Sequence, residues 1–167
     1  VYGEEGLEIK RYWDIDYSTK LDLSESDWED LIMAELERSV RMRMTSDVPI
    51  GALLSGGVDS SAVVAFMARN SKKRIETFNI GFDDDSFDET PYALEVSKKY
   101  NTLHTNIKIS SDDLLKNIAS LVNYYDEPIA DNSILPTYIL AQETKKHITV
   151  ALNGDGGDEN FAGYDRY

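Results

Sequence analysis

The chain contains 167 residues, of which 41% are hydrophobic and 29% charged, so it can bury one core and is not a disordered segment. Its formal net charge of −14 argues against nucleic acids and anionic membranes as partners, because those surfaces attract clustered lysine and arginine. No apolar run approaches the roughly 20 residues of a membrane span. A chain without cysteine has no disulfide, thiolate metal site or cysteine nucleophile. We expect a globular protein located in the cytoplasm, and the lack of cysteine is compatible with that location.

The elements predicted in chain order alternate between strands and helices. Residues 1–23 show no helical period and are predicted to form an extended arm that places aromatic side chains against a neighbour. A helix is predicted from Ser24 or Ser26, and Ser26 and Glu29 have the spacing of a capping box. The predicted strands are 50–54, 75–80, 103–109 and 148–152, and the predicted helices between and after them are 59–69, 89–100, 112–123 and 132–146. This alternation predicts an α/β fold, a parallel twisted sheet flanked by helices.

A glycine-rich turn, Ser55-Gly56-Gly57-Val58-Asp59-Ser60, joins the first of these strands to the next helix. Such a turn directs backbone N–H groups and a helix N-terminus at one point, which is an anion-binding arrangement. It is not a Walker A loop, because Gly57 stands where that motif has its lysine, and no G-x-G-x-x-G motif is present. The alternative is a tight turn in which the serines only cap the helix.

A second glycine-rich segment, Asn153-Gly154-Asp155-Gly156-Gly157-Asp158-Glu159, follows the last predicted strand. Its three acids could serve a metal, a base and a cationic substrate group, and oxygen ligands suit Mg²⁺. The spacing of a calcium loop is missing, and the alternative is an acidic turn that caps a helix beginning near Asp158. Both segments follow strand ends, where parallel sheets bind ligands, so one shared site is predicted. An anionic ligand would need a divalent metal or a basic or N–H-rich pocket.

The first motif resembles the pyrophosphate loop of the ATP pyrophosphatases. Together with the second motif and Phe161-Ala162-Gly163-Tyr164, it resembles the synthetase domain of glutamine-dependent asparagine synthetases. Segments 77–82 and 125–131 fit that family in the same order, and segment 12–17 resembles the joint between its two domains. The resemblance implies an adenine nucleotide alpha-hydrolase-like (ATP pyrophosphatase) fold. It also implies an interdomain joint at 1–23 and a synthetase domain at 24–167 that is truncated at its C-terminus.

The reaction that this resemblance implies is the conversion of aspartate to asparagine with Mg-ATP. The side-chain carboxylate of aspartate attacks the α-phosphorus to give β-aspartyl-AMP and pyrophosphate, and ammonia then displaces AMP. Ammonia would come from solution, or from glutamine through a glutaminase domain that is not in this chain, and the resemblance is compatible with a homodimer. The alternatives are a related ligase that adenylates another carboxylate and a nucleotide-binding module without catalysis.

The resemblance also implies a role for each matching residue. Pyrophosphate would be held by Ser55, Gly56, Gly57, Asp59 and Ser60. Adenosine would be lined by Leu54, Ile80, Asn153 and Gly154. Mg²⁺ would be contacted by Asp59 and Asp158, and the substrate by Asp158 and Glu159, with Glu159 receiving its ammonium group. Asp155 stands where many members carry a catalytic glutamate tied to intermediate formation and ammonia deprotonation, and its side chain is one methylene shorter.

Overall fold

The computed structural model describes residues 2–3, 6–125, 127 and 130–165. Part of the 125–131 segment, namely Asp126, Pro128 and Ile129, lies outside these described residues. The chain divides into two compact units, 1–33 and 34–167. The division expected between residues 23 and 24 stays a prediction. Within the described ranges, no helix has both the length and the apolar character that crossing a bilayer requires.

The first unit begins with a short hairpin in which β1 (Tyr2–Gly3) pairs antiparallel with β2 (Gly6–Leu7). The segment that follows has no regular structure up to helix α1 (Glu25–Arg43), and its Tyr12 is 99% exposed. At the start of α1, the Ser24 hydroxyl accepts a hydrogen bond from the backbone N–H of Asp27 at 3.2 Å. The capping interaction therefore lies at Ser24 and not at Ser26, because Asp27 supplies the acid three residues further on.

The second unit is built around a four-stranded parallel sheet, as the alternating pattern predicts. Its strands are β3 (Ile50–Leu53), β4 (Glu76–Phe82), β5 (Leu103–Ile109) and β6 (Val150–Leu152). The intervening and following helices are α2 (Val58–Asn70), α3 (Thr90–Tyr100), α4 (Ser111–Val122), α5 (Ile134–Thr144) and α6 (Gly157–Phe161). The strand order is β5-β4-β3-β6, and each neighbouring pair runs parallel.

The core of this unit lies between the sheet and the helices that cover it. Ala52 and Val64 are fully buried, and Leu54 is almost so, because β3 has both faces covered and α2 turns one apolar face towards it. The buried cluster consists of Val40, Ala52, Leu54, Val64, Phe66, Met67, Ile75 and Ala93. A short strand that is apolar throughout is typical of a parallel sheet covered on both faces.

The order of the strands determines where the functional loops meet. From β3 the chain proceeds to β4 and β5 on one side, and β6 then pairs with the opposite side of β3. The strand order therefore reverses between β3 and β6, and such a switch point leaves a crevice beyond the carboxyl ends of the two strands. The first loop (54–57) follows β3 and the second loop (153–156) follows β6, so both open into this crevice.

Candidate functional site

A cavity of about 470 Å³ occupies the crevice at the switch point. Of the site residues predicted from the sequence, only Gly56 does not line this cavity. The predicted residues that do line it are Leu54, Ser55, Gly57, Asp59, Ser60, Ile80, Asn153, Gly154, Asp155, Asp158 and Glu159. Residues about 100 positions apart in the chain therefore share one cavity. This is the juxtaposition that the two strand-end motifs predict.

The serines of the first loop hold the turn together. The hydroxyls of Ser55 and Ser60 lie 2.9 Å apart, and the backbone N–H of Gly57 donates to Ser55 Oγ at 3.2 Å. Ser60 is only 8% exposed, and its hydroxyl also donates to the Gly57 carbonyl at 3.3 Å. Helix α2 is preceded by Gly57 as its N-cap and has no side-chain cap. The serines therefore do not cap the helix in the usual way; they fix the loop that faces the cavity.

The N-terminus of α2 adds a positive pole to this cavity. The first N–H groups of a helix have no acceptor within it, and here they belong to residues 58–60, all of which line the cavity. The helix continues for 13 residues, so its dipole is fully developed. Backbone donors at such an end are suited to phosphate or carboxylate groups.

Gly56 lies against the first turn of helix α3. Its φ of +91° lies in the left-handed region, and a Cβ there would lie 2.5 Å from Tyr92 Cβ and 2.6 Å from the backbone nitrogen of Ala93. Only glycine allows the first loop to approach the first turn of α3 this closely. Gly56 therefore sets the position of the loop, and its contact with a bound group stays a prediction.

The second loop packs directly on the first. A Cβ on Gly154 would lie 2.7 Å from the Ser60 backbone nitrogen, and a Cβ on Gly157 would collide with the carboxylate of Asp59. Asn153 Nδ2 donates to Asp155 Oδ2 at 2.6 Å, which holds that carboxylate in one orientation. Glycines at 154 and 157 thus allow the contact between the two loops.

The side chains around the cavity are strongly acidic. Five carboxylates line it, namely Asp59, Glu89, Asp155, Asp158 and Glu159, whereas no lysine or arginine is among its described lining residues. Of the expected ways to attract an anion, the structure therefore supplies backbone N–H groups and not basic side chains. A triphosphate bound here would need additional positive charge close to it.

The carboxylates do not form a preformed metal cluster. Across the described ranges, no group of three or more histidine, aspartate or glutamate side chains is placed to hold a metal ion. Asp59 and Asp158 line the same cavity. The chemistry of two carboxylates suits Mg²⁺, because that ion commonly takes one or two carboxylates and completes its shell with water and substrate phosphates.

Several lining residues were missed by sequence reasoning, namely Phe78, Asn79, Glu89, Thr137, Leu140 and Tyr164. Asn79 is 3% exposed, and its Oδ1 has no hydrogen-bond partner among the described residues. Glu89 immediately precedes α3, a position next to the end of β4 that could have drawn attention to it. Thr137 and Leu140 lie on α5 and carry no local motif that marks them.

A second, larger cavity of about 900 Å³ adjoins the first and shares Ile80 and Thr137 with it. Its apolar residues are Ile80, Phe82, Phe87, Ile109, Leu114, Leu135 and Pro136. The cavity at the switch point is smaller, but it contains both predicted motifs, and so it is the candidate site.

Comparison with solved structures identifies the fold. The glutamine-dependent NAD+ synthetase from Acinetobacter baumannii, solved with adenosine diphosphate, superposes with a TM-score of 0.57 at 20% identity. The match covers 80% of this chain and 27% of that one. The fold is the adenine nucleotide alpha-hydrolase-like fold, which confirms the expectation from the first loop.

Sequence comparison identifies the family. The asparagine synthase family model matches residues 31–167. Asparagine synthetase [glutamine-hydrolyzing] 1 of Bacillus subtilis is 40% identical over 77% of this chain, and putative asparagine synthetase [glutamine-hydrolyzing] 2 of Methanocaldococcus jannaschii is 44% identical over 75%. The matched regions span only 20% and 24% of those two proteins. The resemblance noted in the two loops thus extends through most of the chain, which belongs to the asparagine synthase family.

Proposed function

We propose that this chain is the ATP-using part of an amide ligase that converts aspartate to asparagine and releases AMP and pyrophosphate. The observation that carries the proposal is the meeting of both motifs in one cavity at the switch point of the sheet. Membership of the asparagine synthase family supports the same reaction class.

The first loop is proposed to bind the phosphates. The N–H groups at the start of α2 and the hydroxyls of Ser55 and Ser60 would donate to phosphate oxygens, while Gly57 leaves room for them. The backbones at Leu54, Ile80 and Gly154, together with Asn153, would line the adenosine. Fixed donors of this kind favour negative charge that develops on the departing pyrophosphate.

Asp59 and Asp158 are the residues that would hold Mg²⁺. The ion would supply the positive charge that the described lining side chains lack, and so neutralise the phosphates. The contact between Gly157 and the Asp59 carboxylate keeps this acid at the junction of the two loops.

The second loop is proposed to serve the acceptor and ammonia. Attack by the acceptor carboxylate on the α-phosphorus forms an acyl-AMP and releases pyrophosphate, and ammonia then displaces AMP. Asp155, oriented by Asn153, would accept a proton from the incoming ammonia. Asp158 and Glu159 would bind the acceptor, with Glu159 at its ammonium group, and Tyr164 donates to Glu159 at 2.8 Å.

The proposal extends to the parts of the protein outside this chain, and the names of the relatives, which are glutamine-hydrolyzing synthetases, support it. Ammonia would be released from glutamine by a glutaminase domain outside this chain, and residues 1–23 would form the joint to that domain. A cytoplasmic location and a homodimer are part of the same proposal.

Pyrophosphate release from Mg-ATP and ammonium, with and without L-aspartate, tests the proposed function. We expect release that depends on aspartate, and we expect Asp59→Ala to abolish it. The matched control is Asp112→Ala, which removes an exposed acid in the first turn of α4 and should release pyrophosphate at the wild-type rate. Release without any dependence on a carboxylate, or unchanged release by Asp59→Ala, would contradict the proposal.

The adjoining apolar cavity favours a second candidate, a ligase that adenylates a carboxylate with a larger apolar body. Such a body would extend past Ile80 and Thr137 into the 900 Å³ cavity. Replacing aspartate by a series of arylalkanoic and branched carboxylic acids in the same assay separates the two candidates. Faster release with an apolar acid would select the second.

A further inference from the structure

A polar cluster with the buried Thr90 at its centre lies at the start of α3, next to the two residues that a Cβ on Gly56 would meet. Thr90 is 8% exposed, and its hydroxyl contacts three side chains. It donates to Asp88 Oδ1 at 2.5 Å and accepts from Asn79 Nδ2 at 3.0 Å and from Asn106 Nδ2 at 2.9 Å. One hydroxyl thus joins β4, β5 and the start of α3.

This cluster fixes where α3 begins. The backbone N–H of Thr90 also donates to Asp88 Oδ1, at 3.0 Å, so the carboxylate binds the first residue of the helix twice. These two hydrogen bonds, the side-chain one first, hold the pKa of Asp88 below its usual value. The acid is therefore ionised near neutral pH, and both hydrogen bonds to it are charge-assisted.

The first turn of α3 is the surface on which the first loop rests. Tyr92 and Ala93 are the residues that a Cβ on Gly56 would meet, and they follow Thr90 by two and three positions. A shift in the start of α3 would therefore move Gly56 and, with it, the Gly57 N–H and the Ser55 hydroxyl that it binds. Protein interiors transmit such shifts because they are closely packed.

We infer that Thr90 is a positioning residue for the first loop, acting through Tyr92 and Ala93 on Gly56. It lines neither cavity, so it contributes to binding through the backbone that it holds in place. This inference deepens the proposed function and rests on it where nucleotide binding is concerned. The effect of Thr90 on the geometry of the first loop does not rest on the proposed function, because it is expected with or without a bound nucleotide.

A second buried threonine, Thr102, provides a matched control. Thr102 is 4% exposed, and its hydroxyl lies 2.8 Å from the Thr77 hydroxyl and 2.9 Å from Ser97 Oγ, to which it donates. It precedes β5, at the end of the sheet opposite to the loops. Thr90→Val and Thr102→Val therefore both remove a buried hydroxyl that contacts α3 or belongs to it, but only Thr90 lies in the first turn, beside the Tyr92 and Ala93 that meet Gly56, whereas Ser97 lies one turn further along the helix.

The experiment compares the wild-type chain with the variants Thr90→Val, Thr90→Ser and Thr102→Val. Dissociation constants for Mg-ATP are measured together with amide hydrogen exchange at Gly57 and Ser61 in the absence of nucleotide. We expect Thr90→Val to weaken Mg-ATP binding about tenfold, because the amides of the buried Asn79 and the exposed Asn106 lose their acceptor and the start of α3 can shift. Exchange at both amides should accelerate, Thr90→Ser should restore both readouts, and Thr102→Val should alter neither.

Either of two outcomes would overturn the inference: wild-type affinity and exchange in Thr90→Val, or equal changes in Thr102→Val. If the wild-type protein binds no Mg-ATP, the proposed function fails, and the exchange rates alone decide whether Thr90 positions the loop. If Thr90→Val does not fold, Asn106→Ala removes one of the donors to Thr90. The same exchange comparison then decides the question, with acceleration at Gly57 in support and no change against.

Discussion

Each of the two glycine-rich loops contains one glycine in the left-handed region, and these two glycines have different surroundings. Gly56 in the first loop has φ +91°, and Gly156 in the second has φ +90°. A Cβ on Gly56 would lie 2.5 Å from Tyr92 Cβ, whereas the nearest atom to a Cβ on Gly156 is Asn160 Nδ2 at 3.8 Å. The first loop is closely packed against α3 at Gly56, whereas the second loop has free space around Gly156.

This difference matches the chemistry proposed for each loop. The first loop offers backbone N–H groups and serine hydroxyls, which act as donors only if the backbone is fixed. The second loop brings carboxylates, which are oriented through their side chains, as Asn153 orients Asp155. The comparison indicates that one glycine is needed for close packing and the other only for its backbone angle. Four predictions test it, from the largest expected effect to the smallest.

Gly56→Ala is expected to have the largest effect. The new Cβ would meet backbone as well as side chain, so the loop or α3 must move, and the left-handed angle adds about 1–2 kcal/mol of strain. We expect Mg-ATP binding to fall below detection, as measured by titration calorimetry, with a lowered midpoint of urea unfolding. Gly156→Ala is the matched control, because its new Cβ meets no close neighbour and adds only the strain of the left-handed angle. We expect this variant to bind Mg-ATP more weakly than wild type but still measurably. Equal losses in the two variants would remove the distinction between the loops.

Asp155→Asn is expected to slow amide formation while leaving the affinity for Mg-ATP unchanged. The amide keeps the size of the carboxylate but cannot accept a proton, and general base catalysis contributes about 10²–10⁴-fold to a rate. Single-turnover formation of the amide gives the rate, and titration gives the affinity. A parallel loss of affinity would instead place Asp155 among the nucleotide contacts.

Gly157→Ala is expected to weaken Mg-ATP binding about tenfold, because its Cβ displaces the Asp59 carboxylate. A double-mutant cycle with Asp59→Ala sharpens this prediction. Once the carboxylate is gone, the added methyl group should have little further effect on the dissociation constant. Additive losses would show that Gly157 acts independently of Asp59.

A change of pH is expected to have the smallest effect, a loss of folding stability that originates at His104 in strand β5. Burial lowers the pKa of His104, whose Nδ1 lies 3.0 Å from the Thr77 hydroxyl. Below its ordinary pKa near 6.5, the unfolded chain binds a proton that the folded chain does not, so stability falls as the pH falls.

Urea unfolding at pH 7.5 and 5.5 measures this loss of stability, which His104→Gln should reduce. The ratio of Mg-ATP affinities between Gly156→Ala and wild type should stay the same at both pH values. A change in that ratio would mean that the loops are not independent of the far end of the sheet.

The sequence was most informative where local pattern decides the outcome. The run 103–109 alternates and forms β5 with those bounds, and the α/β fold follows from the succession of such runs. The two loops could be assigned to one site because each follows a strand, and parallel strands end at the same edge. The helix start at Ser24 was less certain from sequence, because Ser24 and Ser26 each have an acid three residues later.

The parts that sequence could not supply depend on contacts between distant elements. Nothing in the residues of β6 specifies that it pairs with β3 and not with β5, because strand order is decided by packing. Thr137 and Leu140 line the cavity only because α5 lies beside β4. Likewise, the crowding around Gly56 arises from α3, whose position relative to the loop has no signature in the motif.

The pairing of β3 with β6 also has a consequence for how the protein folds. Ile50 aligns with Val150, so the contact that creates the crevice joins residues about 100 positions apart, whereas β3, β4 and β5 pair with nearer neighbours in the chain. Contacts of long sequence separation are costly in loop entropy and tend to form late in folding. We therefore expect the cavity to be completed by one of the last steps of folding. A ligand that binds there would stabilise this final contact in particular.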